Sequence, residues 1–248
     1  MSQADIPKNL GFMVSEGRRA KAMKILQVLA ESSPRRTPPG TDRPKLLDIG
    51  TGNGEIASVL ADDYEVTSVD VVDQRRVSGG FSFVRLEGEL LPFEDRSFDV
   101  VVSNHVIEHV PDADRHLAEI ARVMRDEGVV YLATPNRLWP WEVHYRVPLL
   151  HYLPAPWFMS LLKKFNRYHE DISLLGWMEL QRRTRRDFTV TPFSDRMCKW
   201  PRRYHLDCPA AVAGMLARIP LRVFRLLAVV HPTLIVVMQR RSRRAGQG

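Results

Sequence analysis

Three glycines at alternate positions directly behind an apolar run constrain this chain more than any other feature: Leu46-Leu47-Asp48-Ile49-Gly50-Thr51-Gly52-Asn53-Gly54-Glu55. An apolar stretch broken at once by glycine reads as a buried strand over 45–49 that must turn sharply. Glycines at 50, 52 and 54 let the backbone bend and approach a ligand with no Cβ in the way. A helix predicted over 55–61 then presents unpaired amides to that ligand.

Details of spacing and charge narrow the ligand. The pattern is G-x-G-x-G, not the G-x-G-x-x-G of nicotinamide-type dinucleotide sites, so an oxidoreductase of that kind fits poorly. Glu55 stands where a pyrophosphate would meet the helix start, and its carboxylate would repel one. Asp48, inside the strand end, is placed to orient the loop and its water near an ammonium group. A second strand, predicted over 66–70, ends at Asp70, and Val71 follows it. A carboxylate at that tip suits the two hydroxyls of a ribose. Charge-assisted hydrogen bonds of this kind are worth about 1.5–3 kcal/mol. An ammonium, a sulfonium and one small carboxylate are what S-adenosylmethionine brings, and the charges here match that set.

Alternation of strand and helix continues. Strands are predicted over 81–86, 98–103 and 129–134, the last closed by Pro135, with a helix over 112–125 between the last two. This predicts an α/β fold with a mostly parallel sheet covered by helices on both faces. Ahead of it, Ala22, Ile25, Leu26, Leu29 and Ala30 have helical spacing over 19–31, and a Pro- and Arg-rich linker follows. Beyond Asn136 come an aromatic-rich stretch, a helix over 173–185, a strand over 188–191, a mainly helical 206–227 broken at Pro220, and a β-branched strand over 233–239. The expected organisation is helix and linker in 1–44, cofactor core in 45–136, aromatic-rich lid in 137–186, completion of the sheet in 187–240 and a basic tail in 241–248.

The net charge of +7 favours anionic partners, and the excess sits late, in Arg182-Arg183, Arg185-Arg186, Arg202-Arg203 and the run from Arg240 to Arg244. A solvated face is the plain alternative. Cys198 and Cys208 make neither a disulfide framework nor a zinc site and fit a reducing compartment. The first ten residues lack the apolar core of a signal peptide, and the apolar stretch 226–238 is interrupted by His231-Pro232. It is also shorter than the roughly 20 residues of a membrane span. A cytoplasmic protein is expected, free or held peripherally at the inner membrane surface.

Taken together, 46–136 resembles the class I (Rossmann-like) S-adenosylmethionine-dependent methyltransferase family. Beyond the glycine loop and Asp70, the run from Leu91-Pro92-Phe93 through Ser97-Phe98-Asp99 to Asn104-His105-Val106-Ile107-Glu108-His109-Val110 is similar to the family's fourth-strand segment. Glu127 to Asn136 resembles its fifth strand and exit. The resemblance implies seven strands with the last antiparallel, and S-adenosyl-L-methionine as cofactor. It places Asp48, Gly50, Thr51, Gly52, Gly54, Asp70 and Val71 around the cofactor. Glu87, beside Gly88, falls where the family usually has Asp near the adenine amine, a departure in side-chain length. Asn104 and His105 stand over the cofactor at the fourth strand's tip. Pro92-Phe93 reads as packing beneath the loop.

Methyl transfer from a sulfonium leaves the protein to position the acceptor and exclude water, with a general base where a hydroxyl reacts. Three histidines compete. His109 is read as opening the helix after the fourth strand, and His105 as lining the pocket. His144 is two residues from Glu142, so an extended chain would put both on one face, the carboxylate orienting the imidazole. No metal is expected, because His169-Glu170-Asp171 are adjacent and cannot converge on one ion without a second segment.

Trp139, Trp141, Tyr145, Tyr152, Trp157, Phe158 and Phe165, interleaved with Pro and basic residues, read as a substrate lid or a lipid-facing rim. This stretch resembles methyltransferases of polysaccharide or lipid-linked glycan synthesis and, more loosely, quinone-pathway O-methyltransferases. The expected reaction is O-methylation of a small-molecule, sugar or lipid-like acceptor, with peripheral contact to anionic membrane through the late arginines. RNA methylation is the competing enzymatic reading, disfavoured because the arginine clusters are not interleaved with stacking aromatics. An inactive Rossmann-like scaffold is the non-enzymatic one.

Overall fold

The computed structural model describes residues 15–32, 43–142, 147–149, 152–153, 155–164, 172–227 and 230–241. One seven-stranded sheet organises them. Its strands are β1 (Lys45–Ile49), β2 (Glu65–Asp70), β3 (Ser82–Arg85), β4 (Phe98–Asn104), β5 (Met124–Pro135), β8 (Phe188–Pro192) and β9 (Thr233–Arg240). They lie in the order β3-β2-β1-β4-β5-β9-β8. β1 to β5 pair in parallel, while β9 runs antiparallel to both β5 and β8. The expected mostly parallel seven-stranded sheet with one reversed strand is what forms. A separate hairpin joins β6 (Trp141–Glu142) to β7 (Val147–Pro148) within the aromatic-rich stretch.

Strand composition explains the layering. The central strands are buried along nearly their whole length, and consecutive side chains feed opposite faces. Leu47, Ile49, Val101, Val130 and Leu132 pack with Ile120 and Val123 of α3 (Ala113–Val123) and with Leu180 of α5 (Trp177–Thr184). Leu46, Val100, Val102 and Tyr131 pack with Ile25, Val28 and Leu29 of α1 (Ser15–Ser32), with Leu60 of α2 (Glu55–Leu60) and with Met197 of α6 (Ser194–Lys199). Each such aliphatic side chain contributes about 1.5–3 kcal/mol by leaving water. α3 is started by Asp112, whose carboxylate accepts from the amides of Asp114 and Arg115 at 2.9 and 3.1 Å. The remaining helices are α4 (Ala155–Lys164), α7 (Ala210–Arg218) and α8 (Leu221–Leu227), the last two separated at Pro220 as expected.

Several expectations are corrected. The helix expected over 173–185 starts only at Trp177. Residues before it are held extended, because the Ser173 amide donates to Glu108 O and Leu175 bridges to Asn136. β5 begins at Met124 rather than Val129, with an irregularity in its pairing to β4. α6 was not anticipated. The segment behind Pro92 is fixed by α3: Arg122 donates to the carbonyls of Leu91 and Phe93 while bound to Glu119, and Phe93 meets Phe98 edge-on at 5.0 Å. Phe93 therefore packs beneath its loop, as read from the sequence.

Candidate active site

All elements carrying the glycine loop, Asp70, Asn104 and His105 end at one edge of the sheet, the carboxyl ends of β1, β2 and β4. Strand order reverses between β1 and β4, the place where open α/β sheets receive their ligands. Gly50 and Gly54 have φ of 85° and 82°. A Cβ at Gly50 would lie 2.5 Å from Val106 Cγ2, and one at Gly54 would lie 2.2 Å from the Val77 carbonyl oxygen. No side chain fits at either place, so glycine there is a requirement of the bend. Gly52, φ 52°, would direct a Cβ into nearly open space, its nearest neighbour being Arg18 Nη1 at 3.8 Å.

Asp70 stands beside this loop: Oδ2 accepts from the Gly52 amide at 3.0 Å and Oδ1 from Val72 at 3.4 Å. Val71 is exposed next to it. The Leu86 amide donates to Asp70 O at 2.8 Å, which brings the exposed Glu87 and Gly88 to the same tip. Asp48 and Thr51 turn inward instead. Asp48 is 3% exposed, and the Ser68 hydroxyl donates to its Oδ2 at 2.7 Å. Thr51 Oγ1 lies 2.6 Å from the same Ser68 oxygen. Burial pushes the Asp48 carboxyl up to about 7, against the Ser68 hydrogen bond and with help from Asp70's charge. Asp48 thus braces the loop from behind.

At the tip of β4, His105 takes a left-handed conformation, φ 60°, with its amide donating to Ala133 O. Its Nδ1 lies 3.2 Å from Oε1 of Glu108, a carboxylate 1% exposed whose Oε2 accepts from Thr134 at 2.9 Å. Burial alone would raise the Glu108 carboxyl, but hydrogen bonding to His105 and the charge of that ring hold it below its ordinary value. An ionised carboxylate only accepts, so Nδ1 carries a proton and a neutral ring keeps Nε2 as acceptor. Behind this pair His116 Nε2 meets Ser103 Oγ at 3.0 Å, and burial pushes that imidazole down to about 4.

The candidate bases fall out differently from expectation. His109 does not open the helix; it sits exposed in the turn at 107–109, ahead of Asp112 and α3. His144 lies outside the described residues, as does the side chain of Glu142, whose backbone is in β6. His169, Glu170 and Asp171 are also outside them. Among the described residues no group of three His, Cys, Asp or Glu is placed to hold a metal. The carboxylate–imidazole pair that is present is Glu108–His105. Its signal was the three-residue spacing inside the quoted motif. Arg18 was missed as well: its Nη1 donates to Asn53 Oδ1 at 2.8 Å, and its Nε is buried without a partner among the described residues.

The fold is the Rossmann-like α/β fold of class I methyltransferases. An S-adenosylmethionine-dependent methyltransferase from Mesorhizobium loti superimposes with a TM-score of 0.53 at 15% identity, over 92% of this chain and 99% of that one. The [4+2]-cyclase SpnF shares the fold at a TM-score of 0.51 and 17% identity, over 88% and 80%. Residues 47–132 match the family described as "Methyltransferase domain". Within the curated relatives, a ubiquinone biosynthesis O-methyltransferase of Bartonella tribocorum is 30% identical over 108 residues, 40% of this chain and 44% of its own length. A malonyl-[acyl-carrier protein] O-methyltransferase of Geobacter sulfurreducens is 34% identical over 105 residues, 38% and 39%. The chain thus matches less than half the length of these relatives.

Proposed function

We propose that this protein is an S-adenosylmethionine-dependent methyltransferase acting on a hydroxyl of a small-molecule, sugar or lipid-like acceptor. The observation that carries this is the convergence of a bare glycine bend and the Asp70 carboxylate where the strand order reverses. The donor set fits the cofactor. Asp70 would accept from the ribose hydroxyls, exchanging its Gly52 contact for them. Arg18, whose Nε has no partner among the described residues, would meet the carboxylate, and the 86–88 segment would flank the adenine. When bound, S-adenosylmethionine supplies an electrophilic methyl group on a sulfonium leaving group.

His105 Nε2 is the base in this reading. It takes the acceptor hydroxyl proton, and Glu108 steadies the imidazolium through Nδ1–H, in the manner of other carboxylate-oriented histidines. Asn104, beside it, would orient the acceptor. Relatives named as O-methyltransferases support transfer to an oxygen atom. Calorimetry with S-adenosylhomocysteine tests the core of the proposal: saturable binding is expected, and absence of heat with it and with S-adenosylmethionine would leave an inactive scaffold.

A further inference from the structure

The apolar stripe of α1 changes character where the helix reaches the site. Ile25 and Val28 are fully buried against the sheet. One heptad earlier on the same face stand Arg18 and Lys21. Lys24 continues the row at the same three-residue step. Arg18 touches the glycine loop through Asn53. Burial lowers the His231 imidazole, and the charge of nearby Lys24 adds to that effect. His231 is itself fixed at the tip of β5, its carbonyl accepting from Asn136 Nδ2 at 2.8 Å. The row therefore runs from the tip of β1 to the tips of β5 and β9, past β4, where His105 stands.

Among the described residues these cations have no acidic counterpart. The Lys21 and Lys24 ammonium groups form no ion pair among the described residues, although both residues are partly buried. Burial and then Arg18's charge lower Lys21, and burial and then Lys21's charge bring Lys24 down to about 8. Unpaired, mutually repelling cations in a low-dielectric site are unfavourable unless an anion joins them. We propose that Lys21 and Lys24 form an oxyanion subsite for the acceptor, so that the methylated hydroxyl belongs to a molecule bearing a phosphate, pyrophosphate or carboxylate.

This rests on the methyltransferase reading for its purpose but is tested without turnover. The full chain, saturated with S-adenosylhomocysteine, is titrated with sodium pyrophosphate, phosphate or acetate. Saturable binding of at least one is expected, and the arms separate phosphorylated from carboxylated acceptors. K21M/K24M should lose at least tenfold in that affinity while its affinity for S-adenosylhomocysteine stays within twofold, and K21R/K24R should retain both. Removing unpaired buried charge should also raise Tm, which guards against a folding artefact. No anion binding, or equal binding by K21M/K24M, overturns the subsite. An equal loss of S-adenosylhomocysteine affinity assigns the row to the cofactor and overturns it too.

A second surface is carried by different residues. Residues 208–248 hold seven arginines and no Asp, Glu or Lys, so the whole net charge of +7 resides there and 1–207 is neutral. In this stretch α7 buries no residue and exposes Val212 and Met215. α8 buries only Phe224 and exposes Val223, Leu226 and Leu227, at i, i+3 and i+4, beside the exposed Arg222. Arg225 of α8 is paired with Asp195 of α6 at 3.2 Å, which leaves an outward apolar stripe beside Arg222 and the basic end of the chain, a match for an anionic lipid surface. Arg225 of α8 also lines an apolar cleft of about 140 Å³ with Trp177, Pro192 and Leu234, a space near the size of one aromatic ring.

We infer that the α7–α8 face docks on anionic phospholipid. Flotation of the full chain with phosphatidylcholine vesicles, with and without 30% phosphatidylglycerol, should show binding only to the anionic ones. L226S/L227S should reduce it at least fivefold without altering S-adenosylhomocysteine affinity. Equal recovery with both vesicles, an unaffected L226S/L227S variant, or preference for an RNA oligonucleotide over the vesicles overturns the docking.

Discussion

Asp70 and Asp48 show how two carboxylates on neighbouring strands divide their work. Asp70 is half-exposed and bonded to the loop amide, so Asp70→Ala should weaken S-adenosylhomocysteine binding roughly 10- to 150-fold, the equivalent of about 1.5–3 kcal/mol. Titration calorimetry reads this directly. Asp48 is buried with its carboxyl pushed up to about 7, well above an ordinary carboxylate near 4. Between those values the folded chain binds a proton that the unfolded chain releases, so this group's contribution declines as pH rises from about 4 to about 7. Asp48→Asn lacks that decline. Its Tm should gain on the parent across this interval and hold the difference above pH 7. For the base, His105→Ala should lower turnover at least a hundredfold with S-adenosylhomocysteine binding kept. Glu108→Gln should lower kcat and alter the pH profile; an unaltered profile would make Glu108 a packing residue.

Elements set the precision with which those side chains stand. Asp112 carries the start of α3, and α3 in turn holds the 91–98 segment through Arg122 and Glu119. Asp112→Ala should therefore cost about 1 kcal/mol, measured by chemical denaturation. On β5 the Tyr131 hydroxyl is buried with no partner among the described residues. Tyr131→Phe should be neutral to stabilising, by about 1 kcal/mol at most. The first strand, its turn, the second helix and the parallel sheet were legible because period-2 burial and glycine placement are local properties. The late onset of α5 was not, since the 172–176 stretch is extended only because Glu108 and Asn136, far off in the chain, capture it.

At the scale of the molecule, ligand and fold are coupled. S-adenosylhomocysteine at a hundred times its Kd should add about 2.7 kcal/mol of stability. For a chain of this size that corresponds to a Tm rise of roughly 5–10 °C. Asp70→Ala should show a smaller rise at the same concentration. The shared fold of a cyclase and a methyltransferase shows that the sheet alone does not select the reaction. α1 and α7–α8 lie outside the segment 47–132 that matches the methyltransferase domain.

Sequence by itself determined the glycine bend, the acid at the second strand's tip and the layered sheet, because backbone sterics and alternating burial act over a few residues. Which histidine meets a carboxylate was decided only when β4, its following turn and β5 came together, giving Glu108 to His105 and Thr134. The same holds for the cations of α1. Their spacing is written in the chain, but the absence of a counter-ion among the described residues belongs to the packed molecule, since only folding shows which charges end up as neighbours.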